Sequence, residues 1–278
     1  MQYLRDLAAA RELLVNLVVR DVRGQYKRTI LGRVWSLVSP LTAMLVYTFV
    51  FSFIFRIKPE PGDPSGLDVF ALWLLCGLLP WTFFSGAVSS SMGSLVGNSG
   101  LITKVYFPRM VLPAASVLTV AYNWMFEMLV LTVALLFIGA FLWPWLPFAI
   151  LMMVLLALFA TGVGLALSVA NVYFRDTQYL LTLVLQVWMY LTPIVYPISL
   201  VGDQSDRLGG LLGTSITVLD IYSLNPMLHF VTVFRDLLYD NRWPDPTHVW
   251  ACIAWTTVSV IVGFVVFVKN ERGLAETL

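Results

Sequence analysis

Residues 128–174 read MLVLTVALLFIGAFLWPWLPFAILMMVLLALFATGVGLALSVANVYF, a run with no Asp, Glu, Lys or Arg. A helix crosses about 30 Å of hydrocarbon with roughly 20 apolar residues. Met110–Phe126 precedes this run, with only Glu127 between. Together the two stretches are long enough for two crossings. The turn between them is predicted at Phe141-Leu-Trp-Pro-Trp-Leu-Pro147, because two prolines so close together end a helix. The Trp and Phe rings there suit a membrane–water interface. A helical membrane hairpin is the starting point for reading the rest of the chain.

Working outward, further charge-free stretches are Val34–Phe55, Val69–Thr103, Thr177–Gly202 and Pro246–Val268. The expected fold is an all-α integral membrane protein with six transmembrane helices at about 34–55, 69–92, 111–139, 146–170, 178–197 and 248–268. Leu208–Leu219 and Ile221–Phe234 are apolar but too short to cross, which fits re-entrant or interfacial helices. Composition agrees: 59% of the 278 residues are hydrophobic and 12% are charged, with a mean hydropathy of +0.83. That is about half the charge of a soluble domain and excludes a disordered chain. A net charge of +1 gives no basic field for nucleic acid. Cys76 and Cys252 both lie in apolar runs, and with two histidines they form no metal-ligand pattern. No metal site, no catalytic residue and no cleavable signal peptide are expected.

Orientation follows the placement of Lys and Arg. With the N-terminus inside, six spans put both ends inside. Inside segments then carry 12 basic residues, seven of them in residues 1–33, against 5 outside. Residues 1–33 are predicted to form a cytoplasmic amphipathic helix, since Leu4, Leu7, Ala8, Leu14, Val15, Val18 and Val22 fall near a 3.6-residue period. Arg20, Arg23, Lys27, Arg28 and Arg33 would meet lipid phosphates. They serve either as an orientation anchor or as a platform for a partner or an anionic lipid-linked substrate. Residues 98–110 form a cytoplasmic loop with a short helix at Leu101–Phe107, residues 198–247 an extracytoplasmic loop and residues 269–278 a cytoplasmic tail. Within the long loop, Asp203–Gly213 reads as a turn region and Asn225-Pro226 as a helix start.

Several stretches, in order, resemble one transporter family. Residues 20–35, RDVRGQYKRTILGRVW, are followed by Pro40, Val105-Tyr-Phe-Pro-Arg109, Asn171-Val-Tyr-Phe-Arg-Asp176, Pro193-Ile-Val-Tyr-Pro197, Asn225-Pro226 and Phe234-Arg235. The chain is similar along essentially its whole length to the ABC-2 permeases that export O-antigen, capsule and teichoic acid. One departure is Met110, where the family often has an acidic residue after Phe-Pro-Arg. The resemblance implies a transport subunit of the bacterial cytoplasmic membrane, not an enzyme. Two copies would pair with two ATP-binding cassette subunits that hold ATP and Mg²⁺, and the cargo would be a lipid-linked polysaccharide. The residues are consistent, since no Gly-x-x-x-x-Gly-Lys-Ser/Thr loop occurs in the chain.

The resemblance also implies that the 98–110 loop touches the motor subunit, through Leu101, Lys104, Tyr106, Phe107 and Arg109, with Arg175 on the second inside loop. It implies short gate helices in the outer loop. From the residues themselves, Tyr47, Phe51 and Phe55 form a stripe at i, i+4 and i+8. Trp188, Tyr190 and Tyr196 surround the kinking prolines of the fifth span. Aromatic faces and phenol or indole edges suit weak, repeated contacts with a sliding sugar chain, and also suit plain packing. Asn123 and Glu127 share one helix face. An ionisable group at that depth lines a polar pathway, stays protonated or bonds a neighbouring helix. His229 reads as structural. The competing functions are a membrane glycosyltransferase or ligase acting on polyprenyl-linked sugars and an ABC-2 drug or lipid exporter.

Overall fold

The computed structural model describes residues 10–25, 32–54, 56, 61–105, 107–208 and 217–277, and every regular element among them is helical. Helices run in the order α1 (Arg11–Gln25), α2 (Trp35–Tyr47), α3 (Phe70–Gly97), α4 (Ser99–Ile102), α5 (Val111–Phe137), α6 (Leu146–Tyr173), α7 (Thr177–Tyr190), α8 (Ile198–Leu208), α9 (Val218–Ser223), α10 (Pro226–Arg235) and α11 (Pro246–Thr277). A π-helical stretch, Thr48–Ile54, continues α2, and another, Asp236–Asp240, continues α10. Prolines mark the starts: Pro147, Pro226 and Pro246 each sit in a first helical turn. The missing amide donor costs nothing there.

Four helices are long and apolar enough to cross a membrane: Phe70–Gly97, Val111–Phe137, Leu146–Tyr173 and Pro246–Glu271. The hairpin read from residues 128–174 forms, with α5 ending at Phe137 and the turn passing through Gly139 at φ 96°. The other two expected spans are shorter. Residues 178–197 are helical only to Tyr190, and 191–197 is a turn region. Asp203–Leu208 belongs to α8 where a turn was expected, while 209–213 lies outside the described residues.

α3 is the central helix, packed against α5, α6, α7 and α10. Its aromatic residues knit the core: Phe83 stacks on Trp124 at 4.1 Å, and Phe84 on Phe159 at 5.3 Å. α6 and α11 run parallel, with Ser259 Oγ donating to the Phe159 carbonyl at 3.3 Å. They cross at glycine: a Cβ on Gly162 would run into the Ser259–Val260 backbone, and one on Gly263 into that of Gly162. Only glycine permits backbones this close.

The molecule has two ends. The proximal end holds α1, α4 and the C-terminal part of α11 around Leu17, Phe107, Met110, Phe267 and Leu274. The distal end holds the start of α3, the α5–α6 turn and the residues that follow α10. α1 does more than lie on a surface. It packs along α5, and Asn123 donates to Gln25 Oε1 at 2.8 Å. Asn123 is about 18 Å along α5 from Val111.

Candidate functional site

α10 begins in the middle of the molecule. Asn225 caps it, accepting from the Met227 amide at 3.0 Å and from the Trp188 indole at 2.7 Å. Its amide donates to Thr192 Oγ1 at 3.0 Å and to the Leu191 carbonyl at 3.1 Å. One side chain thus closes the frayed end of α7 and opens α10. Trp188 stands edge-on to Trp81 and Phe84, and Phe84 is about 21 Å into α3. From there α10 climbs to the distal end. The Tyr239 hydroxyl donates to the Leu67 carbonyl at 2.8 Å and accepts from the Val69 amide at 3.1 Å. Asn241, left-handed at φ 59°, accepts from the Phe141 amide at 3.2 Å. α10 thus starts mid-depth and runs back toward the distal end, in the stretch where the short apolar runs led to the expectation of a re-entrant helix.

Arg235 locks this helix. It is 9% exposed, donates to the carbonyls of Pro193 and Ile194 at 2.7 and 2.6 Å, and lies 3.6 Å from the centre of the Trp73 ring. The break after α7 leaves those carbonyls outside any helix, and the planar guanidinium fork satisfies two at once. Gly77 makes the room, since a Cβ there would press on Arg235 Nη2 and Val231. Two motifs distant in sequence, Pro193–Pro197 and Phe234-Arg235, therefore meet. Sequence reasoning counted Arg235 as an outer charge and as part of the Phe234-Arg235 family motif, without a partner. The signal available was its position within an otherwise apolar helix.

Beside it is a cavity of about 180 Å³ lined by Trp73, Pro193, Arg235, Asp236, Asp240 and Arg242, among others. Arg242 pairs with Asp236 at 2.7 Å and with Asp240 at 3.4 Å. Burial pushes Asp240 up to about 6, against the opposing pull of Arg242. Among the described residues no group of three or more His, Cys, Asp or Glu is placed to hold a metal ion.

The expected path residues fall into two groups. Tyr47 lies 6.3 Å from Phe51, ring to ring, and within electrostatic range of Tyr190. The Tyr196 hydroxyl donates to the Tyr190 carbonyl at 2.8 Å and lies 3.2 Å from the Tyr222 hydroxyl. The phenols of the break and of α9 thus meet beside the end of α7. Trp188 belongs to the core beneath them, and Phe55 lies outside the described residues.

The expected coupling residues divide as well. The short helix occupies Ser99–Ile102, slightly earlier than Leu101–Phe107. Lys104 and Arg175 are exposed, Leu101 is half-buried and Phe107 is buried in the proximal cluster. Arg109 is tied to the end of α11: its amide donates to Glu271 Oε1 at 3.2 Å and its guanidinium to the Glu271 carbonyl. Arg20 donates to Asn98 Oδ1 at 3.1 Å, and Arg23 is exposed. Tyr106, Lys27, Arg28 and the side chain of Arg33 lie outside the described residues. Glu127 is half-buried, with no hydrogen-bond or ion-pair partner among the described residues. It faces an apolar groove of about 270 Å³ between α2, α3 and α5.

Relatives extend over the same length. The chain is 29% identical to the O-antigen export system permease RfbA of Myxococcus xanthus over 100% of both chains. It is 26% identical to RfbA of Klebsiella pneumoniae over 96% of this chain and 95% of that one. It is 21% identical to the polysialic acid transport protein KpsM of Escherichia coli over 93% of each. The ABC-2 type transporter model matches residues 12–239, which include the re-entrant helix, its arginine lock and the proximal loop; the chain belongs to that family.

Proposed function

We propose that this chain is the membrane subunit of an ATP-driven exporter that moves a lipid-linked polysaccharide across the bacterial cytoplasmic membrane. The cargo is a polyprenyl-diphosphate glycan or a teichoic-acid-like polymer. The observation that carries this reading is end-to-end similarity to polysaccharide export permeases within the matched family. Six crossings are formed by the four long helices, by α2 with its π-helical continuation, and by α7 with its 191–197 break. The proximal end is cytoplasmic, as the surplus of Lys and Arg there requires. Two copies pair around a shared path, and two ATP-binding subunits carry ATP and Mg²⁺.

Motion enters at the proximal loop. Lys104 and Arg175 offer exposed contacts to the motor subunit, and Arg109 passes displacement of the loop to α11 through Glu271. A rigid-body shift of packed helices then reaches the distal end. Tyr47, Phe51, Tyr190 and Tyr196 give the sugar chain weak contacts that let it slide, above the Trp188 wedge. Arg20 and Arg23, with Lys27, Arg28 and Arg33, receive the lipid diphosphate. Asn123 is held by Gln25, and Glu127 lines the groove beside the first span.

The test is co-purification with a candidate ATP-binding cassette subunit, followed by hydrolysis measured with lipid-linked glycans. Expected is a stable complex whose hydrolysis rises with the glycan. Failure to form a complex with that subunit would overturn the proposal.

A further inference from the structure

The chain has two histidines, and the fold brings them together. His229, in the first half of α10, is 5% exposed. His248 lies in the first turn of α11. Their Nδ1 atoms are 2.7 Å apart, and His229 Nε2 is 2.7 Å from the Ser223 carbonyl. A carbonyl only accepts, so His229 Nε2 carries a proton. Two ring nitrogens at hydrogen-bond distance share one proton between them. In the neutral pair His229 Nδ1 therefore accepts, and His248 is held in its Nδ1–H tautomer.

Adding protons has unequal effects. A proton on His248 Nε2, which lies outside the inter-ring bond, would leave that bond intact. Asp236 and Asp245 are the carboxylates in electrostatic range of His248. Of the other elements packed on α10, α3 and α6 carry no charged residue. Cys76 on α3 is a buried, neutral thiol. On α9, Asp220 is engaged by Thr217, and Tyr222 by Tyr196. A second proton would place N–H groups on both facing nitrogens of two cationic rings, and the bond is lost. Burial, and then the neighbouring ring, oppose that second proton and hold His229 below the ordinary histidine range.

We propose that His229 and His248 form a proton-sharing latch that fastens the re-entrant helix to the head of α11, and that double protonation from the distal side releases it. The proposal rests on the transport reading, with α10 taken as one of the outer-loop gate helices the resemblance implies, yet its test needs no transport. With only two histidines present, the full-length chain carrying ¹⁵N-histidine in lipid nanodiscs reports on these rings alone. Expected at about pH 7.5 is one Nε2–H ring and one Nδ1–H ring, with an N–N coupling across the hydrogen bond. That coupling disappears when His229 Nδ1 takes a proton, below the free-histidine value of about 6.5. Two Nε2–H rings titrating independently would overturn the latch.

His248→Asn gives the second readout, because an amide nitrogen donates to His229 Nδ1 but takes no charge. Between about pH 7.5 and about pH 4.5, amide exchange protection over 226–235, corrected for intrinsic rate, should fall about tenfold in the native chain and less than about twofold in the variant. Equal losses would overturn the proposal. Export and complex formation are measured separately, so a failed latch and a failed transport reading are distinguishable.

Discussion

The two ends of the molecule are fastened differently. At the distal end the re-entrant helix is pinned by polar side chains that reach backbone: Arg235 to Pro193 and Ile194, Asn225 to Leu191, Tyr239 to Leu67, Asn241 to Phe141. At the proximal end Leu17, Phe107, Met110 and Leu274 pack as apolar neighbours, with polar ties between elements from Arg109 to Glu271, Arg20 to Asn98, Asn171 to the Met92 carbonyl and Asn123 to Gln25. Apolar contacts are non-directional and allow small sliding, whereas a hydrogen-bonded network has discrete made and broken arrangements. On the proposed transport reading, the proximal end takes the push and the distal end switches.

Mutations can break this contrast. The largest effect is expected for Arg235→Ala, which strands two buried carbonyls and removes the cation from the Trp73 face. A loss of about 3 kcal/mol should appear in thermal unfolding in detergent, with Arg235→Lys intermediate because an ammonium lacks the fork. Gly162→Ala drives a methyl into the α11 backbone and should cost about 1–3 kcal/mol by the same assay. That crossing serves both ends, so proximal and distal amides should lose exchange protection together. Asn225→Ala removes a helix cap and the Trp188 partner. It should cost about 1–2 kcal/mol, with protection lost first over 226–235. The smallest stability effect is expected for Arg109→Ala, under about 1 kcal/mol, accompanied by a clear drop in export relative to ATP hydrolysis. If Arg109→Ala destabilised the chain as much as Arg235→Ala, the two ends would not differ as argued.

Long apolar runs made the four long helices legible, and the prolines near 144–147 marked the turn. Asn225 was readable as a cap because its role is local. The shortness of α10 was also within reach, because its apolar run is too short to cross. Arg235 and the histidine pair were not, since their meaning depends on partners that only the fold supplies: carbonyls more than forty positions away and a second imidazole nineteen away. Trp188 read as a path aromatic, but its neighbours Trp81, Phe84 and Asn225 come from other segments and hold it in the core. Phe107 read as a motor contact, yet burial is set by α1 and α11 folding over it. Periodicity reports which residues leave water; it does not say which surface they meet.

The most direct test of the account as a whole is ATP-driven glycan movement in proteoliposomes holding this chain with or without its ATP-binding partner. Expected is export of the lipid-linked glycan only when both polypeptides and ATP are present. Export by this chain alone, with no nucleotide-hydrolysing partner, would contradict it.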